Sequence, residues 1–213
     1  MSSNRQAVLD ILRRERCSAI LRTSLPDAVR PALDAAVQGG FRVVEVTLTT
    51  PNALGHIRDL ARRPELLVGA GTVLTPEEAR AAVDAGARFL VSPVTDPAVI
   101  QWCFAHDVVS VPGTFTPTEM LAAHRAGADL VKLFPAAPGG ADYVKAVLGP
   151  LPFLKVFPTA GVTELNAAEF LRAGAFGVGF VGTLFVPDDV KNGRWDAIAR
   201  RAAAMVAAVR SAG

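Results

Sequence analysis

The sequence predicts an α/β protein of the (β/α)8 TIM-barrel class, one domain over residues 1–213 with an N-terminal helix. Three observations carry this. A helix end, a glycine and a short apolar run recur in AAVQGGFRVVEVTL (35–48), AAVDAGARFLVSP (81–93), AAHRAGADLVKLFP (122–135) and EFLRAGAFGVGFVG (169–182). A capping oxygen followed by proline recurs at Thr50-Pro51, Thr75-Pro76, Asp96-Pro97 and Thr116-Pro117. Strand ends at Arg22, Glu45, Thr72, Ser92, Gly113, Lys132, Thr159 and Gly182 are spaced by about 23 residues, enough for one strand, one helix and two turns. Eight such units fit the compact end of barrels that run from roughly 200 to over 400 residues. An open doubly wound sheet is the alternative, but no G-x-G-x-x-G follows the first strand.

Taken in order, the polar stretch Met1 to Arg16 places Ala7, Val8, Ile11 and Leu12 on one helical face, so it reads as a leading amphipathic helix. A first strand ends at Arg22, and a helix finishing in AAVQGG leads to the strand RVVEVTL (42–48). Thr50, Thr75, Asp96 and Thr116 are expected to cap the next helices, because proline at the first helical position loses no hydrogen bond. Glu78 and Glu119 stand where a capping box places its acid. Glycines after the helix ends suit the left-handed position, having no Cβ to clash. The apolar runs do not alternate cleanly, as expected of parallel strands covered on both faces.

Composition excludes several classes. Hydrophobic residues at 51% and charged residues at 20% argue against disorder. A net charge of +2 without a basic stripe gives no support to a nucleic-acid partner. No apolar run approaches the ~20 residues that span a bilayer, and no signal core precedes the leading helix. Cys17 and Cys103 stand far apart, which suggests a reducing, cytoplasmic compartment. His56, His106 and His124 form no ligand spacing, so no metal is expected.

A barrel places its active site at the C-terminal strand ends. Two charged residues stand there inside apolar strands: Glu45 in RVVEVTL and Lys132 in ADLVKLFP (128–135). Lys132 could snorkel to solvent and Glu45 could be a structural ion-pair partner. Held among Val131, Leu133 and Phe134, however, a lysine loses ammonium stability, and its free amine can attack a carbonyl. With a carboxylate as general acid and base, the pair suits Schiff-base chemistry. Thr159-Ala160-Gly161 ends strand seven and Gly182-Thr183 ends strand eight, where such barrels commonly bind phosphate. These glycines could instead simply make tight turns.

With these residues in hand, the chain resembles the 2-dehydro-3-deoxy-phosphogluconate (KDPG) and 4-hydroxy-2-oxoglutarate (KHG) aldolase family. The resemblance rests on AILR (19–22), VEVTL (44–48), VGAGTVL (68–74), SP (92–93), PG (112–113), VKLFPA (131–136), FPTAGV (157–162) and VGTLFVP (181–187). It implies Lys132 as Schiff-base lysine and Glu45 as acid/base. It implies Arg22 and Thr72 at the pyruvate portion, Pro93, Phe134 and Thr159 as pocket walls, and Ala160, Gly161, Gly182 and Thr183 as the phosphate cradle. The implied substrate is a phosphorylated 2-keto acid, from the gluconate or galactonate series, with no cofactor and a homotrimeric assembly. The chain departs from the family pattern at Thr49, where many members carry arginine, at Ala160, where glycine is familiar, and at Thr183, where serine is common. A sugar-phosphate isomerase or epimerase would need the phosphate turns but not Lys132. A non-catalytic phosphosugar-binding barrel would need neither Lys132 nor Glu45.

Overall fold

The protein's architecture is taken from a computed structural model, which describes residues 4–136 and 138–212. Nine strands are present among them: β1 (Cys17–Leu21), β2 (Val43–Thr47), β3 (Leu67–Gly71), β4 (Phe89–Val91), β5 (Val109–Val111), β6 (Gly113–Thr114), β7 (Val131–Leu133), β8 (Val156–Pro158) and β9 (Val178–Phe180). All pair in parallel, β1 to β5 with β9 in one curled sheet ordered β5-β4-β3-β2-β1-β9, and β6-β7-β8 in a second. Helices fall between the strands, as the repeat predicts.

Successive side chains point to opposite faces of a strand, and here each face has its own core. Ala19, Leu21, Val44, Val46, Val68 and Ala70 pack against the helices. Val43, Leu67, Phe89, Val91, Val109, Val111, Leu130 and Phe157 form an inner cluster, completed by Val8, Leu9 and Leu12 of the leading helix Asn4–Glu15. That helix lies across the N-terminal strand ends. Arg5 pairs with buried Asp129 at 2.5 Å and donates to Gly127 O, while Arg88 donates to Asn4 Oδ1 at 2.7 Å. The apolar residues of that helix thereby cover the inner cluster at that end.

Most of the predicted caps form. Thr75, Asp96 and Thr116 accept hydrogen bonds from the first turns of helices Pro76–Asp84, Pro97–Ala105 and Pro117–Arg125. Glu119 completes a capping box, whereas Glu78 reaches one residue further back, to Leu74 N–H. Gly40, Gly86, Gly127 and Gly174 end their helices with positive φ.

Two expectations need correction. Thr50 does not cap the next helix. That helix, Ala53–Leu60, starts from Asn52 in a left-handed conformation, and the Thr50 hydroxyl is buried against Thr47 Oγ1 at 3.1 Å. Nor do the strands form one continuous eight-stranded sheet. The fifth unit is broken at Pro112 into β5 and β6, because proline offers no N–H to the ladder. The second sheet begins at that break.

Candidate active site

Glu45 on β2 and Lys132 on β7 are 2% and 7% exposed, and both line the inner cavity above the apolar floor. Inward alternation puts Glu45 in register with Gly69 of β3 and beside Gly71. A Cβ at Gly71 would come within 1.9 Å of Glu45 Oε1, so the missing side chain is what makes room for the carboxyl. Burial pushes the Glu45 carboxyl up, while Lys132 and then Arg22 pull it back. Burial also pushes the Lys132 amine down, opposed by Glu45 and reinforced by Arg22. Both groups are driven toward their neutral forms.

Arg22 follows β1 and donates to Thr72 Oγ1 at 3.1 Å. Thr72 follows β3 with a left-handed backbone, φ 61°. Arg22 is exposed, yet its charge reaches both Glu45 and Lys132. Thr159, 1% exposed, shares the cavity with Lys132, and the Phe134 ring lies under Lys132 Nζ. Pro93 packs its backbone where a side chain at Gly113 would stand, 2.3 Å from that Cβ position. Thr49 is uncharged and folds onto Thr47, Oγ1 to Oγ1 at 3.0 Å. The structure thus brings Arg22, Thr72, Glu45, Lys132, Phe134 and Thr159 to one mouth.

The remaining predicted residues stand on the rim, not in that cavity. Ala160 and Gly161 have φ of 64° and 101°, and Ala160 O accepts Ala136 N–H. The Thr183 hydroxyl donates to Val162 O at 2.6 Å, tying the loop after β9 to the loop after β8. Its proton is therefore engaged within the protein. A Cβ added at Gly182 would touch nothing within 4 Å, so that turn faces open space. Alanine in a left-handed conformation is strained by about 1–2 kcal/mol, partly offset by the larger unfolded-state entropy of glycine. Ala160→Gly should therefore stabilise the fold by up to about 1 kcal/mol, read as a higher denaturant midpoint.

Sequence reasoning missed Ser18, Thr47 and Thr114, and took Gly71 only for its backbone N–H, not for the space it leaves Glu45. Ser18 lines the cavity among apolar neighbours. Thr114 donates its hydroxyl to Lys132 O at 2.9 Å. Gly71 carried a readable signal, since glycine inside a strand marks a close approach. Among the described residues, no group of three or more His, Cys, Asp or Glu side chains could hold a metal ion.

A curled parallel sheet whose C-terminal end presents a buried amine beside a buried carboxyl brings together a nucleophile and a proton carrier. The model of the KDPG and KHG aldolase family matches residues 8–201, and the chain belongs to that family of lyases. It is 33% identical over 203 residues to the 2-dehydro-3-deoxy-phosphogluconate aldolase of Haemophilus influenzae, covering 94% of this chain and 95% of that one. It is 36% identical over 172 residues to a probable 2-dehydro-3-deoxy-6-phosphogalactonate aldolase of Rhizobium meliloti, covering 79% and 81%. The crystal structure of KDPG aldolase from Legionella pneumophila, with pyruvate captured as a covalent carbinolamine, superposes with a TM-score of 0.84 at 29% identity, covering 93% and 97%.

Proposed function

We propose that the chain cleaves 2-dehydro-3-deoxy-6-phosphogluconate, or its galactonate epimer, to pyruvate and glyceraldehyde 3-phosphate through an imine on Lys132. The observation that carries this is the shared burial of Lys132 and Glu45, each held toward its neutral form in one cavity. One carboxyl then serves the whole cycle, holding one proton at a time. The neutral Lys132 amine adds to the C2 ketone, giving a carbinolamine. Glu45 protonates its hydroxyl, water leaves, and an iminium faces a carboxylate. The carboxylate takes the C4 hydroxyl proton, and the C3–C4 electron pair moves into the iminium. Glyceraldehyde 3-phosphate departs, leaving a pyruvate enamine. Glu45 returns its proton to C3, and water drawn in by the renewed carboxylate releases pyruvate. A carboxyl that burial raises and two cations lower is suited to this alternation.

Arg22 is the cation for the substrate carboxylate, with Thr72 orienting its fork. A charged hydrogen bond is worth roughly 1.5–3 kcal/mol, so Arg22→Ala should raise KM and weaken product inhibition by pyruvate by about 10- to 150-fold. Unchanged values for both would remove the assignment. Thr49→Arg in that background should recover part of the loss.

The phosphate is assigned to the backbone turns at Ala160-Gly161 and Gly182-Thr183. Closure of the two sheets into one eight-unit barrel is supported by the Lys132 N–H to Pro112 O bond at 2.8 Å and the Thr159–Gly179 bridge. Leu74 and Val94, 44% and 51% exposed on neighbouring loops, support a surface covered by further copies in a homotrimer. A cytoplasmic address is supported by two buried free thiols, both pushed up to about 12 by burial. The deciding experiment compares steady-state turnover of the two epimeric phosphorylated substrates and of 4-hydroxy-2-oxoglutarate. Turnover of none of the three would sink the reading.

A further inference from the structure

Lys132 Nζ lies 4.8 Å from the centroid of the Phe134 ring, within the range at which a ring face attracts a cation. The two residues stand two apart, Lys132 in β7 and Phe134 just after it, and Thr114 bonds the backbone of both. Thr114 donates its hydroxyl to Lys132 O and accepts Phe134 N–H at its own carbonyl, each at 2.9 Å. These bonds fix the backbone from which the ring and the nitrogen both project.

Iminium chemistry puts a cation on that nitrogen both before C3–C4 cleavage and after C3 protonation, in a cavity where the lysine is 7% exposed. The charged groups acting on it are Glu45 and Arg22. Arg22 carries the same sign. Glu45 is charged only while the nitrogen is, and loses that charge as it takes the C4 hydroxyl proton during bond cleavage, so its field changes while the cation is being consumed. The ring quadrupole neither titrates nor leaves.

We infer that the face of Phe134 is the constant partner of the cation on Lys132 Nζ, stabilising the iminium of a 2-keto acid electrostatically and not only walling the pocket. This rests on Lys132 being the imine-forming residue. It makes Phe134 a catalytic residue, in contact with a reacting atom, and Thr114 the residue that positions it.

Site-specific replacement of Phe134 by mono-, di- and trifluorinated phenylalanine withdraws the quadrupole stepwise while nearly keeping the ring's shape. The pyruvate concentration that half-saturates cyanoborohydride trapping should rise along the series by about 2- to 30-fold in total. The pH of half-maximal trapping should fall over the same series, because the ring also holds the ammonium form. Phe134→Leu, which has no ring, should lie at the weak end. A purely apolar wall predicts flat or tighter values, since fluorine does not make the ring less hydrophobic. A flat series, in an enzyme whose wild type gives the Lys132 adduct, overturns the role of the ring and leaves the imine standing. No adduct on Lys132 in the wild type overturns the imine and this inference together.

Discussion

Lys132→Met should lower cleavage by about 10⁴-fold or more, the scale on which removing a covalent nucleophile is felt, and should leave the protein more stable. The activity loss follows because no other amine among the described residues lines the cavity. The stability gain follows from the sign of linkage. Burial lowers the pKa of Lys132 in the folded state. Its contribution to stability is thus complete only above the unfolded lysine pKa, about 10.4, and declines as pH falls toward the folded value. At neutral pH the unfolded chain holds the proton more favourably than the fold does. Methionine fills similar space without a charge, so about 1 kcal/mol, or about 2–4 °C in Tm, should return. Mass measurement after pyruvate and borohydride gives the first check: one pyruvyl adduct on Lys132 in the wild type and none in the variant. An adduct that persists on Lys145 or Lys155 would refute the assignment.

Glu45→Gln is expected to lower kcat by about 10²–10⁴, the range for general acid/base groups. It should still yield some imine with pyruvate, since Lys132 is intact. Its stability should depend on pH in a defined direction. Burial raises the Glu45 pKa above its unfolded value, so the carboxyl's contribution is full below about 4.3 and is lost as pH rises through the folded value. Wild type and variant should therefore melt together in acid and diverge at higher pH, with the glutamine form more stable. Parallel melting curves at all pH values would mean that the carboxyl is not strained by burial, and turnover at the wild-type rate would mean that it moves no proton.

Both residues were legible in the sequence because each is a charge inside an apolar strand whose position in the repeat is countable. The proline-marked starts at Thr75, Asp96 and Thr116 were legible because a cap is a local device spanning four residues. Thr50 looked the same but was drawn away by a buried hydroxyl contact with Thr47, a packing choice that no local rule contains. The break at Pro112 was present as a letter, but its effect on the sheet depends on which neighbour would have received the missing N–H. Thr114 was invisible for a similar reason. Its hydroxyl matters through Lys132 O, eighteen residues away, and a threonine in a strand otherwise reads as ordinary. Arg22 and Thr72 were countable as strand ends, but their place at the pyruvate portion came through family likeness, since fifty residues separate them.

The carboxyl of Glu45 occupies the place where any residue other than glycine at position 71 would put its first side-chain carbon. The two positions are therefore not free to vary one at a time. Drift at 71 is closed while the glutamate remains, and a chain that lost the glutamate would open 71 to side chains that then block its return. The proton carrier is held in lineage as well as in space: its loss, once followed by a substitution on the neighbouring strand, becomes a one-way step. Enlarging the pocket from the β3 side would have to begin by moving the carboxyl to another strand.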